Sequence, residues 1–364
     1  MINYEGLLTT LAHDDAPLGL LTMQASGTMG RIAKRFPGRV KALFSTGHGF
    51  AGVKGVGASA WDSFWNMPSH ALCGDHRRPT KEMLSGIGRM VVDLCDIGVR
   101  CYPVLATIKD VVEVCAEEGI PVTVLDHEVP MGGVMDGPMR KLSYASALAP
   151  LNVPLCYSMT PGECATWIKN AEGLDLDLTV IRLKEWSHMV HEPWPNFVPP
   201  STEITTWDSA VLYPLTVFTD AYPAIDCDRC GPLSRRLIGA PWMDTRGLIA
   251  DLAPGLDSCG VSMCPYRYTP AIGRYKGFHL NGILFSVSRP NGYYPVTAAV
   301  LVYTALLQRH SKMFCMGANP DLLDRIFGST ELRDTIRGGT LDELFQNWIE
   351  QQDEFMKTRV DLYK

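Results

Sequence analysis

Short apolar runs alternate with amphipathic stretches through the first half of the chain. Leu18-Gly19-Leu20-Leu21-Thr22-Met23 reads as a buried strand, and Arg31 to Phe36 has room for a helix after the loop Gln24-Ala25-Ser26-Gly27. Val40-Lys41-Ala42-Leu43-Phe44-Ser45 predicts a second strand, followed by Gly47-His48-Gly49 and a glycine-rich loop reaching Trp65. Met90 to Leu94 predicts a third strand. Leu105 to Glu118 carries an apolar stripe of helical period in Ile108, Val111, Val112, Val114 and Cys115. Pro121 to Asp126 predicts a fourth strand and Leu176 to Leu183 a fifth. Between them Thr160-Pro161-Gly162-Glu163 has the form of a capping box: an N-cap Thr, a Pro at the first helical position, and a Glu three residues on. Repeated strand–helix units predict an α/β fold with a Rossmann-like, doubly wound parallel sheet.

The pattern breaks at Glu192-Pro193-Trp194-Pro195-Asn196-Phe197-Val198-Pro199-Pro200. The boundary is placed there, giving a Rossmann-like domain over residues 1–200 and a smaller α+β domain over 201–364 that closes a cleft. In the second part Gly282 to Val287 reads as a strand, and Pro295 to Leu307 and Leu341 to Lys357 as helices.

Composition narrows the class. The 364 residues are enough for two domains, and the net charge of -6 comes without a basic block, which excludes nucleic acid as the main partner. No apolar run approaches the ~20 residues of a membrane span. The first residues, Met1 to Gly6, lack the basic and apolar regions of a signal peptide. The 11 cysteines are scattered, which is the usage of a reducing cytoplasm. Cys227/Cys230 and Cys259/Cys264 are close pairs, but the second spacing is poor for zinc, so no metal or cofactor is expected. The expected partner is a small molecule. Oligomeric state is not legible.

The chemistry concentrates in Met90-Val91-Val92-Asp93-Leu94-Cys95-Asp96-Ile97-Gly98-Val99-Arg100-Cys101-Tyr102. A buried strand breaks there into two acids, an arginine and a tyrosine. Open α/β sheets place their ligand crevice at carboxyl ends of this kind. Asp93 and Asp96 are candidate acid and base, with like charges that would raise the proton affinity of one. Two roles are open to Arg100: orienting a substrate group with Tyr102, or pairing with Asp96. His48, flanked by glycines, and His127 and Glu128, after the fourth strand, sit at neighbouring strand ends.

The order of landmarks resembles the NamZ-type exo-β-N-acetylmuramidases of peptidoglycan recycling. The family's Gly-Leu-Leu-Thr is Gly19 to Thr22. Its Phe-Ser-Pro-Glu-His-Gly-Phe-Arg-Gly corresponds to Phe44-Ser45-Thr46-Gly47-His48-Gly49-Phe50-Ala51-Gly52. Its Asp-Ile-Gln-Asp-Val-Gly-x-Arg-Phe-Tyr corresponds to Asp93 through Tyr102, and its Leu-Asp-Arg-Pro-Asn-Pro-x-Gly-Gly to Leu125 through Gly133. Gly-Met-Thr-x-Gly-Glu-Leu-Ala appears as Ser158 to Ala165, and Gly-Ala-Pro-Trp as Gly239 to Trp242. The tail follows in Phe327-Gly328-Ser329, Ile336-Arg337-Gly338-Gly339 and Arg359 to Tyr363.

The resemblance implies glycosidic cleavage and a catalytic Glu at position 47, where this chain has Gly47. The family's Arg and Asn after the fourth strand are His127 and Val129, an Asn is Glu203, a pocket tyrosine is Cys73, and the stretch Asp220 to Pro232 is rewritten. Asp93, Asp96, Gly98, Arg100, Tyr102, Asp126, Thr160, Glu163 and Trp242 are kept. The expectation is therefore a NamZ-like enzyme with a remodelled site acting on a small sugar-like or other polar metabolite. Asp93, Asp96, His48, Glu128 and Tyr102 are its candidate catalytic groups. Arg100, His127, Glu163, Glu203 and Trp242 are its candidate substrate contacts. Glu128 and Glu203 stand where the family has no carboxylate, so either is a candidate replacement acid. Two alternatives stay open. One is reuse of the fold for non-glycosidase chemistry in small-molecule biosynthesis, with Cys73, Cys95 or Cys101 as nucleophile near His48 or His127. The other is a non-catalytic sugar binder.

Overall fold

The structure is a computed structural model, and it describes residues 2–23, 27–47, 59–184, 186–188, 193–194, 197–359 and 362. Position 48, and with it His48, lies outside the described residues.

After helix α1 (Tyr4–Leu11) come strand β1 (Leu18–Thr22), helix α2 (Thr28–Arg35) and strand β2 (Val40–Thr46). Strands β3 (Ser59–Asp62) and β4 (Met67–Leu72) form a hairpin, then β5 (Arg89–Asp93), helix α3 (Pro103–Glu117) and β6 (Val122–Leu125) follow. The short strands β7 (Met135–Asp136) and β8 (Cys156–Tyr157), helix α4 (Pro161–Ala171) and β9 (Leu178–Ile181) complete this part. Seven strands make one sheet in the order β3-β4-β2-β1-β5-β6-β9, parallel except for the β3 edge. The expected α/β architecture is what the chain adopts.

The strands are buried on both faces, which is why they read as continuous apolar runs rather than alternating ones. Side chains still alternate between layers. Leu20 and Val91 pack toward α1 and α2, while their neighbours Leu21 and Val92 face the layer of α3. The order places a switch point at the middle of the sheet. From β1 the chain winds outward through β2 and β4, then returns to β5 on the other side of β1. A crevice is expected at the carboxyl ends of such a pair.

The loop expected from Gly47 to Trp65 is corrected in part: Ser59–Asp62 is a strand, paired with β4. Proline inside Met67-Pro68-Ser69-His70-Ala71-Leu72 hides the partner strand β4 from sequence reading.

The second part holds helix α5 (Trp207–Thr216), strand β10 (Leu237–Ala240), helix α6 (Thr245–Ser258), strands β11 (Val261–Tyr268) and β12 (Leu280–Val287), and helices α7 (Pro295–Phe314), α8 (Pro320–Phe327), α9 (Glu331–Gly338) and α10 (Leu341–Arg359). Its three strands form an antiparallel sheet in the order β10-β12-β11. One hydrophobic core runs from Val92 and Leu105 through Leu215 to Phe285 and Trp348, so both parts share an interior. Polar ties cross it as well. Asp136, buried, accepts the backbone N–H groups of Val296 and Thr297 at 2.7 and 3.0 Å and so caps α7.

Candidate active site

The site begins with strand register. β1 and β5 pair so that Thr22 stands opposite Asp93, the last residue of each strand. Their side chains share a face, and Thr22 Oγ1 donates to Asp93 Oδ2 at 2.9 Å. β6 lies on the other side of β5, and two residues beyond its end His127 turns back over Asp93. Nε2 of His127 lies 2.5 Å from Asp93 Oδ1. The other ring nitrogen, Nδ1, lies 3.4 Å from Cys95 Sγ. Thr22, Asp93, His127 and Cys95 thus form a continuous chain of contacts at the switch point.

Asp93 is 1% exposed and His127 5% exposed, whereas Cys95 is half-buried and is the member of the chain that meets solvent. Burial by itself would lower the His127 pKa. The charge of Cys95 and the hydrogen bond and charge of Asp93 outweigh it and raise the ring well above its ordinary value. The thiol, the imidazole and the carboxylate are therefore electrostatically one unit.

Asp126, fully buried, has a different task. Its Oδ1 accepts from Gly162 N at 2.7 Å and Oδ2 from Thr160 Oγ1 at 2.9 Å, which fixes the start of α4 against the end of β6. The capping box read from Thr160 and Glu163 is present. Glu163 also meets His188 Nε2, 2.7 Å from Oε1. A cleft of about 250 Å³ opens beside this pair, lined by Glu163, Lys169, Asn170 and Arg182 among others.

Several expected site residues are placed elsewhere. Arg100 neither reaches a ligand crevice nor pairs with Asp96. It is fully buried, and its guanidinium donates to four backbone carbonyls: Pro138 and Val153 at 2.8 and 2.6 Å, Ile326 and Phe327 at 3.2 and 2.7 Å. Asp96 is 2% exposed and turned inward; the Tyr157 hydroxyl donates to its Oδ2 and Ile97 N to its Oδ1 at 2.7 Å. Its chemistry departs from the expectation of like-charge coupling to Asp93. Burial, not a second carboxylate, pushes its pKa up to about 6. Tyr102 is 5% exposed with its ring edge-on to Tyr213 at 5.8 Å, and burial raises its phenol above the ordinary range.

Glu203 is engaged by Arg235, whose Nε lies 2.9 Å from Oε1, and by Arg229 at 2.9 Å. Trp242 stacks at a tilt on His310, 5.2 Å between centroids, in the second part. Glu128 follows His127 and is half-buried. Cys101 is buried and its thiol is pushed up to about 12. Among the described residues no group of three His, Cys, Asp or Glu is placed to hold a metal ion. Reading the sequence missed Thr22 as the partner of Asp93 and His188 as the partner of Glu163. The first pairing needs the β1–β5 register, which no local pattern contains.

Asp96 yields a stability prediction. Its folded pKa of about 6 lies above the ordinary 3.8, so between those values the folded chain holds a proton that the unfolded chain has released. The contribution is complete below pH 3.8, is lost as pH rises through 6, and amounts to roughly 3 kcal/mol. Urea unfolding of wild type and Asp96→Asn at pH 4, 5, 6 and 7 is expected to show the wild-type advantage shrinking across that window. Parallel curves for the two proteins would show that Asp96 is ionised throughout.

Comparison with known proteins gives consistent results across the chain. The family model described as "Exo-beta-N-acetylmuramidase NamZ, N-terminal" matches residues 19–208, and "Exo-beta-N-acetylmuramidase NamZ, C-terminal" matches 211–363. The peptidoglycan β-N-acetylmuramidase NamZ of Bacillus subtilis (strain 168) is 28% identical over 328 residues, covering 88% of this chain and 78% of that protein. Two crystal structures of DUF1343 family proteins from Bacteroides fragilis NCTC 9343 share the fold. One, at 1.65 Å resolution, has a TM-score of 0.87 and 23% identity, covering 98% of this chain and 97% of that one. The other, at 1.30 Å, has a TM-score of 0.78 and 22% identity, covering 100% and 98%.

Proposed function

The chain belongs to the exo-β-N-acetylmuramidase NamZ family, and from that premise we propose that it is a glycoside-hydrolase-like enzyme whose catalytic wall has been rebuilt for a small sugar-like or other polar metabolite. The observation that carries this reading is the Asp93–His127 pair at the switch point, 2.5 Å apart and buried beside the half-buried Cys95. Acid/base cleavage of a bond to oxygen requires a proton donor for the leaving group. An imidazole raised well above its ordinary pKa and held by a carboxylate meets that requirement at neutral pH.

Position 47 supports the same reading. The resemblance assigns the family's acid there, and this chain has a glycine with φ +64°. Among the described residues, a Cβ at that position would meet nothing within 4 Å. Left-handed backbone disfavours side-chain-bearing residues by ~1–2 kcal/mol, consistent with a turn no longer built to present an acid. Glu203 is held by two arginines, which makes it a poor substitute. In this reading residues 1–200 carry the crevice and residues 201–364 close it. No described helix is long and apolar enough to cross a membrane.

The test is hydrolysis of 4-nitrophenyl β-N-acetylmuramide, alongside a panel of phosphorylated, acylated and aminated sugars. Release from the muramide is expected to be ~10²–10⁴-fold below that of a family member carrying the acid, the usual effect of a positioned general acid. Efficient muramide hydrolysis would overturn the rebuilt-site reading.

A further inference from the structure

We propose that Cys95 is a catalytic nucleophile served by His127 and oriented through Asp93, and that it attacks the carbonyl carbon of an acyl linkage (ester, amide or thioester) on the polar metabolite. The inference rests on the crevice assigned above and departs from that reading in the bond that breaks.

The order of groups is the one nucleophilic catalysis needs. A thiol meets a base, and a third group orients the base. Cys95 Sγ lies 3.4 Å from His127 Nδ1, and Asp93 Oδ1 lies 2.5 Å from Nε2. An ionised Asp93 only accepts, so the proton belongs on Nε2 and Nδ1 is turned toward the sulfur. Asp93 is itself fixed by the Thr22 hydroxyl.

The surroundings separate this thiol from the buried cysteines near it. Leu94 and Asp96 on either side are buried, while Cys95 is half-buried and reachable. Cys101 and Cys115 are buried and pushed up to about 12, away from the reactive thiolate. The Cys95 backbone N–H points at Met23 Sδ, 3.3 Å away. A thioether is a weak acceptor. That N–H is therefore available to a better one, such as the oxyanion that forms when the sulfur attacks a carbonyl.

The steps balance. The proton shared by Cys95 Sγ and His127 Nδ1 is held on Nδ1 as Sγ bonds to the carbonyl carbon. The bond from that carbon to the leaving oxygen, nitrogen or sulfur breaks, and the leaving group takes the proton from Nδ1. Water then attacks the thioester and loses a proton to Nδ1. The carbon–sulfur bond breaks, the proton returns to Sγ, and a carboxylic acid leaves.

The experiment measures iodoacetamide alkylation of each cysteine of the full chain by mass spectrometry from pH 5.5 to 9. At pH 6 Cys95 is expected to react at least ~10-fold faster than the exposed Cys230 and Cys264, because His127 Nδ1 lies 3.4 Å from its sulfur and can hold the thiol proton as the carbon–sulfur bond forms. His127→Gln, checked for folding by circular dichroism, is expected to bring Cys95 down to their rate. With 4-nitrophenyl acetate as a second probe, the acetyl group is expected on Cys95 in wild type and absent in Cys95→Ser. A Cys95 no faster than Cys230 at pH 6, or a rate indifferent to His127→Gln, overturns the proposal. The two readings also fail separately. A metabolite cleaved at wild-type rate by Cys95→Ser but not by His127→Gln removes the nucleophile and keeps the proposed function. A reactive, acylated Cys95 in a protein that cleaves no sugar-like compound does the reverse.

Discussion

Asp93→Asn is expected to lower turnover by roughly 10³–10⁴-fold while the protein stays folded, as loss of the orienting carboxylate does in comparable triads. Asp93 touches both neighbours: it accepts the Thr22 hydroxyl through Oδ2 and faces His127 Nε2 through Oδ1. An asparagine of the same shape keeps the space filled. Its amide nitrogen, however, donates, and a donor facing Nε2 moves the ring proton to Nδ1, toward Cys95. The base then faces the wrong way. The His127 pKa should fall as well, since Asp93 is one of the two groups that hold it up against burial. Histidine NMR titration of wild type and variant separates this from a packing effect. A purely structural Asp93 would lower the melting temperature and leave the His127 titration where it was.

The second large effect is on stability. Arg100→Met is expected to cost about 3–5 kcal/mol by urea unfolding, the range for removing a member of a buried polar network. The volume is nearly kept, so the cost is electrostatic. Four backbone carbonyls from three segments lose their donor, and each unsatisfied buried carbonyl is expensive. Arg100 is fully withdrawn from water, and that burial pulls its pKa down to about 10. The site chain of Thr22, Asp93, His127 and Cys95 should survive in whatever fraction remains folded. A variant as stable as wild type but unable to cleave its substrate would return Arg100 to the crevice.

Arg100 also shows where reading the sequence stops. Arginine beside two acids and a tyrosine looks like a ligand site, because the sequence places those charges within a few residues of one another. The fold separates them. Arg100 points across to the Phe327-Gly328-Ser329 motif, where a Cβ on Gly328 would come 2.8 Å from its NH2. Two motifs far apart in the chain are thus one structural contact, and neither explains the other until they meet. Glu203 is a similar case: Arg229 and Arg235 reach it across a rewritten stretch that no local pattern ties to it.

Strands β1, β2, β5, β6 and β9, the capping box and the α/β class were legible because they depend on local rules. Strands buried on both faces must be apolar throughout, and a helix start must satisfy its first N–H groups with nearby side chains. The family resemblance was equally legible, since it rests on the order of short motifs. Helices α5 and α6 were not, because Pro214 and Pro254 interrupt their patterns and tertiary packing overrides that penalty. Which polar groups meet was decided by tertiary structure alone. Pairing of β1 with β5 put Thr22 against Asp93, and the chain after β6 folded His127 between Asp93 and Cys95. Sequence proximity carries no information about such contacts: strand order and register set them, and both are fixed by burial summed over the whole sheet rather than by the residues that come together at its edge.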